Sequence, residues 1–427
     1  MKQKVVVRAP ALTRSGYGEH GRFVLRSLRA VEDKYDLYLM PIGWGQCGWI
    51  YEDTEERRWM DELIQKMATY QHQTQGNPQF DISIQVSIPN EWQPLAPINV
   101  GVTAGIETNR VAPIWLEKVN QMDKIITISE HSKNSFLQSF YDGVNKHTGQ
   151  KMQLRCNKDV EVVHYPVKSF EPIDLKLDLS TDFNFLTVAQ FGPRKNLPNT
   201  IKWFVEEFVD NPDVGLVVKS FTAGNSLLDR NRTTSMIDNL LSQYQNRQCK
   251  VYLLHGDMTD QEIHSLYVHP KIKALVSLTH GEGFGLPLFE AAYSGLPVLA
   301  PEWSGHVDFL FAPKKDKKTK KEKKKAHFGR IAYDIEPIQE ENVWEGVLEK
   351  GSMWAYPQQG SYKMKLREVY KDHGRFKKQA KDLEKWVVKN FNEEKQYKAF
   401  NSCLDEYEVL QEDVQNWFEE LNVENYE

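Results

Sequence analysis

Two glutamates stand out in the glycine-rich stretch HGEGFGLPLFEAAYSGLPVLA, which runs from His280 to Ala300. Glu282 lies among the glycines, and Glu290 lies eight positions later in an apolar stretch with helical spacing. Glycine lets a backbone approach a ligand closely, and the start of a helix offers free N–H groups that bind phosphate. One carboxylate could grip the vicinal diol of a ribose, and the other could hold sugar hydroxyls or face a developing positive charge. The pair indicates a ligand with phosphate and hydroxyl-rich parts, as a sugar nucleotide has.

The simpler interpretation is that Glu290 complements a helix dipole and Glu282 is a solvated loop residue. The surrounding residues favour a site instead. The apolar stretch IKALVSL predicts a strand ending at Leu278, so the glycine loop leaves a strand end. Pro287 suits the first helical position and Gly295 suits the C-terminal cap, which predicts a short helix with Glu290 in its first turn.

The rest of the chain predicts the scaffold that positions this loop. Apolar runs of strand length alternate with helical patterns in two stretches, separated by a segment rich in proline and polar residues. We therefore expect an α/β protein with two doubly wound Rossmann-like domains facing across a cleft. The predicted divisions are an N-terminal acceptor domain (1–168), a linker (169–182), a nucleotide-sugar-binding domain (183–395) with a lysine-rich insertion (313–326), and an acidic helical C-terminal segment (396–427) that could pack back on the N-terminal domain.

Composition describes a soluble globular protein. The 427 residues are 40% hydrophobic and 26% charged, with a net charge of −5, so the whole chain has no general attraction for nucleic acid. The four cysteines are scattered without metal-ligand spacing, which favours a reducing compartment and a cytoplasmic location. No apolar run approaches the roughly 18 residues of a membrane-spanning helix, so we expect none.

The C-terminal stretch resembles a known family. EGFGLPLFEAAYSGLPVLA is similar to the E-x7-E signature of retaining GT-B glycosyltransferases, most of all glycosyltransferase family 4, also called group 1. FLTVAQFGPRKNL and LHGDMTDQEIHSLY resemble further segments of that family, and the similarity extends from about Phe183 to Asp308. The resemblance implies a GT-B fold, a nucleotide-sugar donor and transfer with retention of anomeric configuration.

The resemblance also assigns roles to residues of the signature. Glu290 would hold the ribose of the donor nucleotide, and Glu282 would contact the transferred sugar. The backbone of Gly283, Phe284 and Gly285 would approach the diphosphate or the sugar.

A basic segment after the first strand of the second domain would bind the diphosphate. Lys195 matches the lysine that the family uses there. The chain has Gln190 where the family usually has an arginine at the end of the strand, and Arg194 could supply the missing charge. Such cations favour departure of a nucleoside diphosphate because that leaving group gains negative charge.

The N-terminal half offers the other side of the cleft. Gly16, Gly18 and Gly21 fit the G-x-G-x-x-G pattern of a dinucleotide-binding enzyme. Eight residues separate Val7 from Gly16, too many for the tight strand-to-helix turn of that fold. The resemblance instead implies a glycine loop at Gly16 and Gly18 that closes on donor phosphate and acceptor.

Glu107 follows a predicted strand end and could act as a base or contact the sugar. The alternative interpretation is a solvated loop acid, since many relatives have a histidine in this region. His306 and Asp308 could lie near the donor. We expect no bound metal, and no cofactor other than the donor, with a UDP-sugar favoured over a GDP-sugar.

A lysine-rich run interrupts the second domain. The segment from Lys314 to Lys325 holds nine lysines against Asp316 and Glu322, and its composition predicts a solvated loop. The simplest interpretation is an insertion without function. The alternative is contact with a nucleic-acid backbone, through the residues Lys314, Lys315, Lys317, Lys318, Lys320 and Lys321.

These observations favour a glycosyltransferase acting on a hydroxyl of a glycan, lipid or small molecule. The main alternative is a DNA glycosyltransferase that modifies a hydroxylated base such as hydroxymethylcytosine, with the lysine run on the DNA backbone. A sugar-nucleotide binding protein without activity and an NAD-linked oxidoreductase are further hypotheses.

Overall fold

The computed structural model describes residues 2–144, 149–315 and 322–407. The first domain contains eight strands and four helices in the order β1 (Gln3–Ala9), α1 (Gly16–Arg29), β2 (Tyr35–Pro41), α2 (Glu55–Gln73), β3 (Ile82–Val86), β4 (Ile98–Thr103), α3 (Pro113–Val119), β5 (Lys124–Thr127), α4 (Glu130–Gln138), β6 (Phe140–Val144), β7 (Lys151–Arg155) and β8 (Val160–Val162). Six of these strands form a parallel sheet in the order β2-β1-β3-β4-β5-β8.

The second domain and the C-terminal helices follow a short connecting segment. Their elements are β9 (Phe183–Val188), α5 (Leu197–Phe208), β10 (Val214–Lys219), α6 (Leu227–Leu241), β11 (Lys250–Leu254), α7 (Asp260–Tyr267), β12 (Ile272–Val276), α8 (Leu286–Tyr293), β13 (Val298–Pro301), α9 (Val307–Leu310), β14 (Phe311–Lys315), β15 (Glu322–Ala326), β16 (Gly329–Ile331), β17 (Tyr333–Pro337), β18 (Met353–Pro357), α10 (Gln359–Lys371), α11 (His373–Asn390) and α12 (Glu393–Ser402). The main sheet is again parallel, in the order β11-β10-β9-β12-β13-β16.

The predicted fold class is confirmed by these two sheets. Central strands read as continuous apolar runs because helices cover both faces of each sheet. Val5, Val6 and Val7 of β1 are fully buried, as are Leu216 and Val218 of β10. In the second domain the strand order reverses between β9 and β12, and ligands of such sheets bind beyond the carboxyl ends of the strands at that reversal.

Within the described residues, the chain crosses between the domains twice. Residues 163–182 connect the sheets without helix or strand, and Lys168 in this segment makes ion pairs with Glu19 of α1 (2.8 Å) and Asp260 of α7 (2.9 Å). After α11 the chain returns to the first domain, where α12 packs on α1. Residues 408–427, the rest of the predicted acidic segment, lie outside the described residues.

For the described part of the lysine run, the predicted exposure is confirmed and the predicted loop is wrong, since Lys314 and Lys323–Lys325 are exposed but lie on strands. β14 and β15 form an antiparallel hairpin in which Phe311 pairs with Ala326. The base of the hairpin is anchored because Ala312 is buried and the ring of Phe311 contacts Phe328, with centroids 5.7 Å apart. Composition could not reveal this anchor, since the apolar residues flank the lysines.

Two of the candidate lysines, Lys314 and Lys315, lie on β14. The other four, Lys317, Lys318, Lys320 and Lys321, lie outside the described residues, in the gap at 316–321.

None of the helices in the described parts of the chain is long and apolar enough to cross a membrane.

We expect Phe400→Ala to destabilise the protein because α12 is held on α1 by buried aromatic contact. Phe400 is fully buried, its ring lies 5.9 Å from that of Phe23, and Asn401 Nδ2 donates to Ser27 O over 2.8 Å. Truncating a buried phenylalanine costs about 3–5 kcal/mol. Urea unfolding followed by circular dichroism measures the loss, and Lys398→Ala, on the exposed face of α12, is the matched control. A loss no larger than that of the control would contradict this packing.

Candidate active site

The glycine loop leaves β12 and enters α8 at the carboxyl edge of the second sheet, as the sequence predicts. Residues 277–285 form this loop. His280 fixes its start: the ring stacks on Trp354 with centroids 5.4 Å apart, and Nδ1 lies 2.7 Å from Ala355 O. The backbone N–H of Glu282 donates to Ser304 Oγ over 2.9 Å. These contacts therefore fix the backbone from which the Glu282 side chain projects.

Glu282 binds both cations of the basic segment. This segment, Pro193–Lys195, is a short 3-10 turn after β9, and Asn196 in the left-handed region (φ +52°) leads it into α5. Lys195 Nζ lies 2.6 Å from Glu282 Oε1, and Arg194 Nη1 lies 3.0 Å from Oε2. Residues that follow the neighbouring strands β9 and β12 thus meet at the point where the strand order reverses.

Charge compensation sets the protonation of this cluster. Burial alone would raise the pKa of Glu282, but Lys195 and Arg194 outweigh burial and lower its pKa to about 2. Burial and the adjacent Arg194 lower the pKa of Lys195, against the opposing effect of Glu282. The cluster holds a carboxylate at neutral pH, beside two cations in a largely water-excluded place.

Glu107 approaches the same cluster from the first domain. It follows β4, and its Oε1 lies 3.2 Å from Arg194 Nη2. The guanidinium therefore joins carboxylates of both domains, and Arg194 Nη1 also donates to Gly281 O over 2.7 Å. The structure brings together the two acids and two cations that the sequence singled out for the transferred sugar and the diphosphate.

Two glycines of the loop allow the domains to meet. A Cβ on Gly281 would lie 2.2 Å from Glu107 O, and one on Gly283 would lie 2.4 Å from Ala104 O. Any larger residue would push the loop away from the first domain. In this structure the backbones of Gly281 and Gly283 thus approach protein; the approach of Gly283 to a ligand remains a prediction.

Gly285 and Phe284 fix the start of α8. Gly285 has a φ of +92°, in the left-handed region, and is the N-cap of the helix. The Phe284 side chain is buried in an aromatic cluster that includes Tyr165 and Phe309. The side chain therefore anchors the loop, while its backbone and that of Gly285 border the helix terminus that could receive phosphate.

Glu290 lies in the second turn of α8, so the prediction of the first turn is wrong. The helix begins at Leu286, after the Gly285 cap, which makes Glu290 the fifth helical residue. Burial raises the pKa of Glu290 to about 7, and the Tyr267 hydroxyl, which donates to Oε2 over 2.9 Å, acts against this rise. The charged groups around it are Lys168, Asp260 and Glu19. The side chain therefore changes charge near neutral pH.

Gly16 and Gly18 are not in a loop, which corrects the prediction. The Ser15 hydroxyl caps α1 by accepting from Gly18 N over 2.9 Å, so the helix begins at Gly16. A Cβ on Gly18 would lie 2.1 Å from Thr13 O, whereas one on Gly16 would meet open space. Gly18 therefore serves close packing. The first turn of α1 still lies beside the carboxyl end of β4, since the Tyr17 hydroxyl lies 2.8 Å from Thr103 Oγ1.

A second contact between the domains was only partly anticipated. Asp308 at the start of α9 accepts through Oδ2 from Glu130 N (2.8 Å), at the start of α4, and lies 3.0 Å from His164 Nε2. The sequence placed His306 and Asp308 near the donor, without indicating these partners. His306 is buried, and burial lowers its pKa. Ser304, which holds the backbone of Glu282, gave no signal in the sequence.

No cluster of three or more His, Cys, Asp or Glu side chains that could hold a metal ion occurs within residues 2–144, 149–315 and 322–407.

The second domain matches the family model of glycosyl transferases group 1 over residues 171–326. This range contains the glycine loop, the basic segment and the predicted range of similarity from Phe183 to Asp308. The resemblance to group 1 is therefore confirmed for this part of the chain.

A curated relative matches over a shorter stretch. The serotype-specific mannosyltransferase WbdA of Escherichia coli is 30% identical over 118 residues, which is 27% of this chain and 13% of that protein. The matched stretch is thus about one eighth of the relative's length.

Solved structures match nearly the whole chain. A glycosyltransferase from Rickettsia africae is similar with a TM-score of 0.59 and 12% identity, covering 95% of this chain and 99% of that one. Sucrose-phosphate synthase from Thermosynechococcus elongatus is similar with a TM-score of 0.60, 12% identity and the same coverage. At this identity the likeness shows the fold. The chain therefore has the GT-B fold, and residues 171–326 of its second domain are similar to the glycosyl transferases group 1.

Proposed function

We propose that this protein transfers a sugar from a nucleotide-sugar donor to an acceptor hydroxyl with retention of anomeric configuration. The observation that carries the proposal is the cluster in which the buried Glu282 binds the half-buried Arg194 and Lys195, while Glu107 of the other domain binds Arg194. A donor of this class has a diphosphate, a ribose and a sugar, and the cluster and its surroundings offer partners for each.

The diphosphate would lie against Arg194 and Lys195. Departure of a nucleoside diphosphate places negative charge on its oxygens, and cations fixed in a water-excluded site stabilise that charge. The N-terminus of α8, which the glycine loop enters, adds the positive end of a helix dipole. Because Glu282 is already ion-paired with both cations, the diphosphate would compete with this carboxylate for them.

The sugar would lie between Glu282 and Glu107. Both carboxylates can accept hydrogen bonds from hydroxyls, and both can face the positive charge that develops at the anomeric carbon. The ribose would lie at Glu290, whose carboxylate can accept from both hydroxyls of a diol. A UDP-sugar is the favoured donor, by resemblance.

The acceptor in this proposal is a hydroxyl of a glycan, a lipid or a small molecule. A hydroxylated base in DNA is the second candidate acceptor, and the lysine-bearing hairpin β14–β15 is the observation that favours it. The four cysteines are free in the structure, which supports a reducing, cytoplasmic setting as part of the proposal.

We expect donor affinity to rise with pH because Glu290 must be ionised to accept from both ribose hydroxyls. With a pKa of about 7 in the free protein, the carboxyl is mostly protonated at pH 6 and mostly ionised at pH 8. Binding should be about 10-fold weaker at pH 6 than at pH 8. Titration calorimetry with UDP-, GDP- and ADP-glucose measures this; these phosphodiesters do not titrate in this range. Glu290→Gln should bind weakly at both values.

The matched control is Glu394→Gln, on the exposed surface of α12, which should keep the affinity and the pH dependence of the wild type. The ribose role would be contradicted if Glu290→Gln bound the donor at pH 6 and at pH 8 as tightly as the wild type binds it at pH 8.

We expect retention at the anomeric carbon. When the wild-type protein hydrolyses or transfers α-linked glucose from its nucleotide donor, proton NMR taken before mutarotation should show the α anomer. Lys195→Gln should release much less nucleoside diphosphate, because a half-buried cation for the leaving group is lost. The exposed Lys202→Gln on α5 is the control and should turn over as the wild type does. A β product would refute retention, and no turnover with any donor would refute the enzyme.

A further inference from the structure

A second concave surface lies on the outer side of the second domain. This basic groove has a volume of about 810 Å³ and is bounded by β15, β16, α10 and the first turns of α11. β16 is the last strand of its sheet, so the groove lies at the sheet edge opposite β11. It is separate from the cluster around Glu282.

Cations outnumber acids along the basic groove. Its charged lining residues are the five cations Lys324, Lys325, Arg330, Lys365 and Arg375 and the two acids Glu302 and Glu368. Arg330 pairs with Glu302 at 3.0 Å, and Glu368 lies 3.0 Å from Lys365 and 3.5 Å from Arg375. The acids of the lining are thus engaged. Arg375 also pairs at 3.1 Å with Asp372, which lies outside the lining, so the excess is three positive charges in the lining and two when Asp372 is counted.

The hairpin β14–β15 extends this charge and places like charges face to face. Lys314 is directly opposite Lys323 in the antiparallel register, and both are exposed. Like charges at opposite positions destabilise a strand pair. Within the described residues, Lys314, Lys323, Lys324 and Lys325 form no ion pair with a carboxylate. An anionic partner would remove this repulsion.

The groove adjoins the candidate active site through a single short segment. Glu302 lines the groove, and its carbonyl accepts from the Tyr333 hydroxyl over 2.8 Å. Trp303, the next residue, lies against the loop, where a Cβ on Gly281 would come within 2.7 Å of its ring. Ser304 then holds the backbone of Glu282. A polyanion in the groove would therefore lie beside the loop that contacts the sugar.

We propose that the basic groove and the hairpin bind the phosphate backbone of a nucleic acid. The proposal rests on the proposed function and selects the second of its candidate acceptors: a hydroxyl on a base of that nucleic acid. Repeating phosphates suit cations that come from β15, β16, α10 and α11 around one concave surface. An anionic membrane suits a projecting surface with exposed aromatic side chains. The four aromatic residues that line the groove are buried or half-buried: Phe311, Phe328, Tyr333 and Phe376.

The test is the salt dependence of binding to oligonucleotides. Fluorescence anisotropy with labelled duplex and single-stranded oligonucleotides, between about 50 and 200 mM salt, gives the slope of log affinity against log salt. Each phosphate contact with a duplex contributes about 0.9 to this slope. The variant Lys323→Gln/Lys324→Gln/Lys325→Gln should therefore lower the slope by up to about 2.7 and weaken binding roughly 10- to 100-fold at low salt. Arg330→Gln should lower the slope by about 0.9.

The matched control changes three exposed lysines of α11 and α12, as Lys385→Gln/Lys389→Gln/Lys398→Gln, and should bind as the wild type does. Equal effects of the two triple variants would overturn the proposal. Capture of the wild type by anionic vesicles without binding to either oligonucleotide would also overturn it, in favour of a membrane surface.

Donor binding separates this proposal from the proposed function. The hairpin variant should keep the wild-type affinity for the nucleotide-sugar, since its substitutions lie outside the cluster. Nucleic-acid binding without any donor binding would support the groove and refute the proposed function. Donor binding and turnover without nucleic-acid binding would support the proposed function and refute the role of the groove.

Discussion

The buried carboxylate of Glu282 is the constraint on which the site depends. A buried charge is tolerated only when it is paired, and Glu282 is paired with both Lys195 and Arg194. Removing Glu282 would take away the counter-charge that Lys195 and Arg194 share, so these three residues form one unit. Arg194 extends the unit to Glu107 and thereby joins the first domain to the second. Ligand chemistry and domain contact therefore share the same side chains.

Close backbone packing supports this unit. Gly305 shows it most clearly, since a Cβ there would lie 1.9 Å from Gly283 O, while Gly281 and Gly283 in turn face the backbone after β4. The glycine pattern that suggested room for a ligand thus serves a layered packing of three backbone segments. That packing holds the Glu282 backbone rigidly, and a rigid carboxylate is what a transfer site needs for orientation.

The sequence predicts the local elements well and the contacts between domains poorly. The strands and α8 follow from apolar runs, Pro287 and Gly295, because such signals act within a few residues. The pair of Glu282 with Lys195 could be expected because parallel strands end at the same edge of a sheet. The contacts of Glu107 with Arg194 and of Asp308 with Glu130 depend on how two domains face each other, which no local pattern records. The β14–β15 hairpin was not predicted because the many lysines indicated a loop, and the few apolar residues at the base of the hairpin lie outside the lysine run.

In the proposed site, Glu282 occupies the cations that a donor diphosphate would bind. The most direct measurement is the affinity of UDP, GDP and ADP for Glu282→Gln beside its turnover of the corresponding sugar donors. Loss of the carboxylate leaves Lys195 and Arg194 with a neutral partner, so the account predicts nucleoside diphosphate binding at least as tight as in the wild type, together with a large fall in turnover. Weaker nucleotide binding with turnover unchanged would contradict it.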